Sequence, residues 1–213
     1  NIHKLMAGLV DVYKYTEYEP AKTVASALGD WTYNRVSTWD AATQKRVLSV
    51  EYGGMNDCLY ELYKITGKEE HAKAAHMFDE DWLFEEVLTG DPSVISNRHA
   101  NTTIPKFVGA INRYRTMKGK TIDGEPVNVD KYLAYCEAFW DMVVNHHSYI
   151  TGGNSQWEHF RGADALDVNR TQCNCETCNT YNMLKLSREL YKITGNRKYA
   201  DYYENTFINA IMS

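Results

Sequence analysis

Three of the five cysteines in this chain fall within six residues, in Cys173-Asn174-Cys175-Glu176-Thr177-Cys178. Thiolates and carboxylates are good zinc ligands. An odd cysteine total with no visible secretory leader argues against a disulfide framework, so the cluster reads as a metal or redox site. Cys58 and Cys136 stand apart and read as small core hydrophobes. Glu176 and Cys178 are two residues apart. On a helix they would point about 160° from one another, whereas in extended chain they share a side. If both are ligands, the helix that follows starts near Asn179 or Thr180, both good N-caps.

A second stretch with chemical potential is Thr151-Gly152-Gly153-Asn154-Ser155-Gln156-Trp157-Glu158-His159-Phe160. A glutamate flanked by Trp157 and Phe160 is a setting in which a carboxyl pKa could rise, as a general acid needs. The bland alternative is an ordinary surface carboxylate. Among His3, His99, His146 and His147, His99 is best placed to touch a ligand. It lies with Asn101 in a dense polar run, Asn97 to Pro105, ahead of a helix.

The elements that must position these groups show themselves as a repeat. Leu62-Tyr63-Lys64-Ile65-Thr66-Gly67 recurs letter for letter as Leu190 to Gly195, with weaker copies at Val12 to Thr16 and Ile111 to Thr116. The anchoring residues Tyr13, Tyr63, Tyr114 and Tyr191 are 50, 51 and 77 residues apart, a spacing that means stacked supersecondary units. In each unit an apolar-periodic helix runs into the Tyr, Thr-Gly ends it through a left-handed C′ residue, and a second helix follows, as in His71 to Leu88 or Lys198 to Met212. Strand signals are nearly absent, and Thr121 to Val129 and Arg161 to Arg170 read as turn-rich insertions. The chain is therefore expected to be all-α, about four helical hairpins in series. A polar stretch precedes the first helix of most units: Asn1 to His3, Tyr52 to Asp57, Asn97 to Thr102 and Cys173 to Asn179. Stacked hairpins put these stretches on one rim, where helix N-termini offer free N–H groups and a positive dipole end. His3, Asn56, His99, Glu158 and Glu176 are expected to meet there around a shared concavity.

Composition narrows the functional classes. The chain has 213 residues, 23 Lys+Arg against 28 Asp+Glu, and no basic run, which argues against a nucleic-acid partner. No apolar run approaches the roughly 18 residues of a membrane span. Sixteen Tyr and five Trp suit ligands with polar edges and apolar faces, such as sugars, and equally suit helix packing. Asn1 and the apolar-periodic end at Ser213 read as cuts inside helices, so residues 1–213 are expected to be part of a single domain truncated at both ends. Nothing in the chain assigns a compartment, cytoplasmic or periplasmic.

Asn1-Ile2-His3-Lys4-Leu5-Met6-Ala7-Gly8-Leu9, Tyr52 to Asn56, His99 to Lys106, Thr151 to Ser155 and Glu176 to Leu186, taken in order, resemble the β-L-arabinofuranosidase family, glycoside hydrolase family 127 and relatives such as family 146. The resemblance implies an (α/α)6 toroid, of which four hairpins form an incomplete barrel. It implies a retaining hydrolase of arabinofuranoside-type carbohydrates, with a zinc-bound cysteine thiolate as nucleophile in place of the usual second carboxylate. On this chain it places the acid/base at Glu158, sugar contacts at His3, His99 and Asn101, and zinc ligands at Glu176 and Cys178. The family's other two zinc cysteines form an adjacent pair further downstream, and this chain has no Cys-Cys pair, so residues 1–213 are expected to hold half the zinc site and to be inactive alone. Apolar faces left open on an unfinished toroid imply a possible oligomer. Two other readings compete: a non-catalytic sugar-binding or structural helical toroid, and a zinc site of Cys173, Cys175 and Cys178 that only staples its loop.

Overall fold

The computed structural model describes residues 2–50 and 53–213; Asn1 and Tyr52 of the rim motifs lie outside the described residues. The described residues are all-α apart from one two-stranded ribbon. In chain order the helices are α1 (Ile2–Thr16), α2 (Glu19–Val36), α3 (Ala41–Leu48), α4 (Met55–Thr66), α5 (Glu69–His76), α6 (Asp81–Val87), α7 (Ala100–Met117), α8 (Asp130–His146), α9 (Leu166–Asn169), α10 (Thr177–Thr194) and α11 (Arg197–Thr206). A short 3-10 helix, Pro92–Ile95, precedes α7, and a π-helical turn, Phe207–Ile211, follows α11. The ribbon, β1 (Thr121–Ile122) with β2 (Glu125–Pro126), falls in the first turn-rich insertion.

The repeat is real and its geometry is backbone geometry. The carbonyls of Tyr13, Tyr63 and Tyr191 each accept the N–H four residues on, from Glu17, Gly67 and Gly195, all at 2.8 Å; Tyr114 does the same for Lys118 at 3.3 Å. Glu17, Gly67 and Gly195 all have positive φ, the left-handed helix stop. Inside three of these last turns a threonine hydroxyl bonds the carbonyl four residues back, Thr16 to Val12, Thr66 to Leu62 and Thr194 to Leu190. The four helices that carry these tyrosines, α1, α4, α7 and α10, pack side by side in one layer. Their partners α2, α5, α8 and α11 pack behind them, the two-layered hairpin arrangement of an α/α toroid.

One expected helix is broken. His71 to Leu88 divides into α5 and α6, because the chain turns at Met77 to Glu80 to drive Asp79 into the core. The Asp79 carboxylate accepts from Asn56 Nδ2 at 2.9 Å, Tyr60 Oη at 2.7 Å and Arg113 Nη1 at 2.8 Å, joining α4 to α7. A buried carboxylate requires such partners. Burial alone would raise its pKa; His76, Arg113 and Asn56 together bring it below the usual value.

Asn56 is consequently a core residue, not a rim residue. It is fully buried, and its amide also donates to the Lys106 carbonyl at 3.1 Å. Gly109 of α7 makes room for it: a Cβ at Gly109 would lie 2.0 Å from Asn56 Oδ1. Because three hydrogen bonds pin Asn56, it cannot step aside. Gly109→Ala is expected to destabilise the fold by about 3 kcal/mol, the upper range for overpacking a core. Urea denaturation checks this, and a change within about 0.5 kcal/mol, the range of an ordinary surface substitution, would show that α4 and α7 are not locked together here.

Candidate active site

The N-terminal ends of the four repeat helices meet along one rim. The His3 ring packs on Gly54, whose added Cβ would sit 3.1 Å from it, and a Cβ at Gly53 would sit 2.7 Å from the Thr102 carbonyl. Further along, Asn182 of α10 donates to Asn101 of α7 at 3.0 Å. These contacts run from α1 through α4 and α7 to α10. A cavity of about 260 Å³ opens between them, lined by His3, Asn101, Asn182, Asp57 and Lys185. Pro105 also lines it, and lacking an N–H it cannot bond the Asn101 carbonyl as a helix residue would.

Glu158 is held on an irregular strap of chain between two helix starts. On one side Asn97 N–H donates to the Phe160 carbonyl, Phe160 N–H to Arg98, and Ala100 N–H to Glu158, at 2.7 to 2.9 Å. On the other side Trp157 N–H donates to the Cys173 carbonyl at 2.9 Å and Cys175 N–H to Ser155 at 3.1 Å. Asn179 of α10 adds a side-chain bond to Ser155 Oγ at 2.7 Å. Gly153 is needed where the strap meets the cysteine loop, since a Cβ there would lie 2.6 Å from that of Cys175.

This clamp sets Glu158 Oε2 3.6 Å from His99 Nε2 and places the His99 ring beside that of His159, centroids 5.1 Å apart and tilted by 56°. Glu158 and Glu176 line one hollow of about 490 Å³, with Trp157, Cys173 and Asn174. The apolar enclosure expected around Glu158 does not form. Phe160 turns into the core against His147, while the Glu158 side chain is 60% exposed. Trp157 and Glu158 have φ values of 48° and 64°, a left-handed turn that separates the two faces of the strap. Non-glycine residues in that region are strained, a condition that persists where the side chain presented is needed.

The rim residues therefore share one end of the helical array but occupy three hollows. His3 and Asn101 line one, Glu158 and Glu176 another and His99 a third, while the Asn101–Asn182 bond joins α7 to α10. Sequence reasoning missed Asp57, Asn182 and Lys185. The last two repeat along α10 from Cys178 at i+4 and i+7, a helical-face signal that was available once α10 had been placed.

The start of α10 also differs from expectation. It begins at Thr177, so Cys178 lies in its first turn and Glu176 is the N-cap, with extended backbone. Burial, and then the neighbouring Glu176 carboxylate, pushes the Cys178 thiol up to about 11. Glu176 Oε2 is buried with no hydrogen-bond partner among the described residues. An orphaned carboxylate oxygen beside a proton-bearing thiol is a donor pair that fits zinc, which would replace the thiol proton. Among the described residues no group of three His, Cys, Asp or Glu is gathered around a common point, neither about this pair nor among Cys173, Cys175 and Cys178. Also among the described residues, no helix is long and apolar enough to cross a membrane.

The whole chain, residues 1–213, matches the family model described as β-L-arabinofuranosidase, GH127 catalytic domain. No curated protein matches it by sequence. Among solved structures it is similar to a GH127 β-arabinofuranosidase at 20% identity and TM-score 0.73, over 100% of this chain and 33% of that one. It is similar to a GH127 β-L-arabinofuranosidase from Geobacillus stearothermophilus T6 at 17% identity and TM-score 0.70, over 98% and 35%. A third, titled a glycoside hydrolase, aligns at 15% identity and TM-score 0.68, over 100% and 37%. At these identities the likeness is one of fold, and the chain spans about a third of the length of those proteins.

The rim cavity fixes the charge state of His3. Burial, then the neighbouring Lys4 and Lys185, hold its imidazole at about 4. In the unfolded chain it titrates near the ordinary 6.5. The folded form thus resists protonation, so this contribution to stability is complete above about 6.5 and is lost as pH falls toward 4. Imidazole NMR is expected to show His3 neutral at pH 5.5, and a midpoint near 6.5 would place it outside a desolvated cavity.

Proposed function

The chain belongs to the GH127 β-L-arabinofuranosidase catalytic-domain family, and from that membership we propose that it carries the acid/base and sugar-holding half of a retaining glycoside hydrolase acting on β-L-arabinofuranosides. The observation that carries this reading is Glu158, 3.6 Å from His99 and lining the same hollow as Glu176. Glu158 donates a proton to the leaving glycosidic oxygen and then takes one from the attacking water, the two duties of the acid/base in a retaining enzyme. Its exposure leaves it open to both. His99 orients the carboxylate from the start of α7. His3, kept neutral by its cavity, can donate and accept at sugar hydroxyls without adding charge, and Asn101 offers its side chain beside it.

Glu176 and Cys178 would hold zinc, with the remaining ligands, and the cysteine nucleophile among them, lying outside residues 1–213. Bound zinc supplies a thiolate at neutral pH, which a free thiol does not.

The test uses the full-length protein. Glu158→Gln keeps the shape but cannot transfer a proton. It is expected to lower kcat about 10²- to 10⁴-fold on an arabinofuranoside with a poor leaving group, while zinc content stays unchanged. Cys178→Ser is expected to lose zinc and activity together, because a hydroxyl is a poor, rarely ionised ligand. Near-normal turnover by Glu158→Gln would falsify its role as the acid, and full zinc in Cys178→Ser would remove Cys178 from the metal site.

A further inference from the structure

Lys185 stands out among the half-buried lysines of this face. Lys14 and Lys64 both pair with Glu61, and Lys106 pairs with Glu80. Among the described residues no carboxylate lies within ion-pair reach of Lys185, and no acceptor takes its protons. Its Nζ sits 5.0 Å from the centroid of the Tyr181 ring. An ammonium drawn out of water without a partner is costly. Burial accordingly lowers the Lys185 pKa, and Asp57 is the neighbour that works hardest to restore it.

Asp57 is its complement. One carboxylate oxygen, Oδ1, accepts from Asn112 Nδ2 at 2.8 Å, and no described residue donates to the other. Burial raises this carboxyl, against the pull of Asn112 and then Lys185. Asp57 and Lys185 both line the rim cavity that holds His3 and Asn101. Both also line a second cavity, of about 420 Å³, on the open face of the α1, α4, α7, α10 layer. Val108 of α7 lines the two cavities as well, so α7 stands between α4, which carries Asp57, and α10, which carries Lys185. Asn112 ties Asp57 to α7, which keeps it from swinging across. Opposite charges therefore line the same two cavities without forming an ion pair.

Two groups in that arrangement are completed by a ligand that donates to one and accepts from the other. Adjacent ring hydroxyls of a sugar do both. We propose that Asp57 and Lys185 are specificity-determining residues of the sugar site, reading a pair of neighbouring secondary hydroxyls on the furanose. One hydroxyl donates to the free oxygen of Asp57, and its neighbour accepts from Lys185. This rests on the arabinofuranosidase reading and adds which hydroxyl pattern the inner end of the cavity selects.

Calorimetry on the full-length protein tests it with methyl β-L-arabinofuranoside and its 2-deoxy and 3-deoxy derivatives. The unaltered protein is expected to bind the parent glycoside about ten- to a hundredfold more tightly than a deoxy derivative, the range that hydrogen bonds to charged groups carry. Lys185→Met and Asp57→Asn are each expected to lose that preference, while their affinity for the matching deoxy sugar stays at the unaltered level. A merely structural role would weaken all three ligands alike, and that result overturns the proposal, as does a preference that survives both substitutions. Lys185→Met keeps the aliphatic stem and leaves α4 untouched, so it carries the test if Asp57→Asn lowers the melting temperature. An unaltered protein that neither binds nor cleaves arabinofuranosides ends the family reading and this proposal together. One that cleaves them with both variants unchanged ends this proposal alone.

Discussion

The Asp79 carboxylate, buried at the junction of α4, the α5–α6 turn and α7, is the constraint on which the rim depends. It draws in Asn56, Tyr60 and Arg113, each from a different turn of the surrounding helices. Removing one partner from such a network strands the others, so its members hold their places collectively. The consequence for the site is one of register. Asn56 is fixed by Asp79, so its chain neighbour Asp57 is aimed out into the cavity, and the Gly53–Gly54 turn ahead of it lies against His3 and Thr102. A charge inside the scaffold thereby sets where the ligand-facing groups stand at its edge.

The strap extends the same logic by other means. Where α4 is positioned by side chains, Glu158 is positioned by main-chain hydrogen bonds to both flanking helix starts. Two helices that would otherwise approach only through side chains are bridged at their first turns. Glu158 and the loop that leads into Glu176 and Cys178 are thus tied to each other by main-chain hydrogen bonds.

Much of this was legible in the sequence, and the boundary follows physical lines. The Leu-Tyr-Lys-Ile-Thr-Gly segments and the copy at Val12 to Thr16 announced three equivalent helix ends because a left-handed stop is a local property. The polar stretches announced the rim because helix starts are also local. What the sequence hid was long-range. Asp79 broke a continuous periodic pattern to reach partners 19 and 34 residues away. Asn56 looked like a ligand group because polar residues at helix starts often are, and only the absent side chain of Gly109 reveals that it is buried. The neighbours of Glu158 in sequence did not become its neighbours in space, since the left-handed turn at Trp157 and Glu158 sends Phe160 to the other face. Lys185 was invisible because its distinction lies in the partner it lacks.

That Glu158 is held by its backbone has an implication for descent. Its side chain belongs to no core, cap or helix face, and its φ of 64° suits glycine or asparagine better than glutamate. On the proposed reading of Glu158 as the acid/base, a change at this codon removes the reaction and relieves the scaffold at once. On that reading, lineages built on this framework can drift from catalysis to simple sugar retention in a single step, with selection for a sound fold raising no obstacle, and a preserved shape is a poor witness to a preserved reaction.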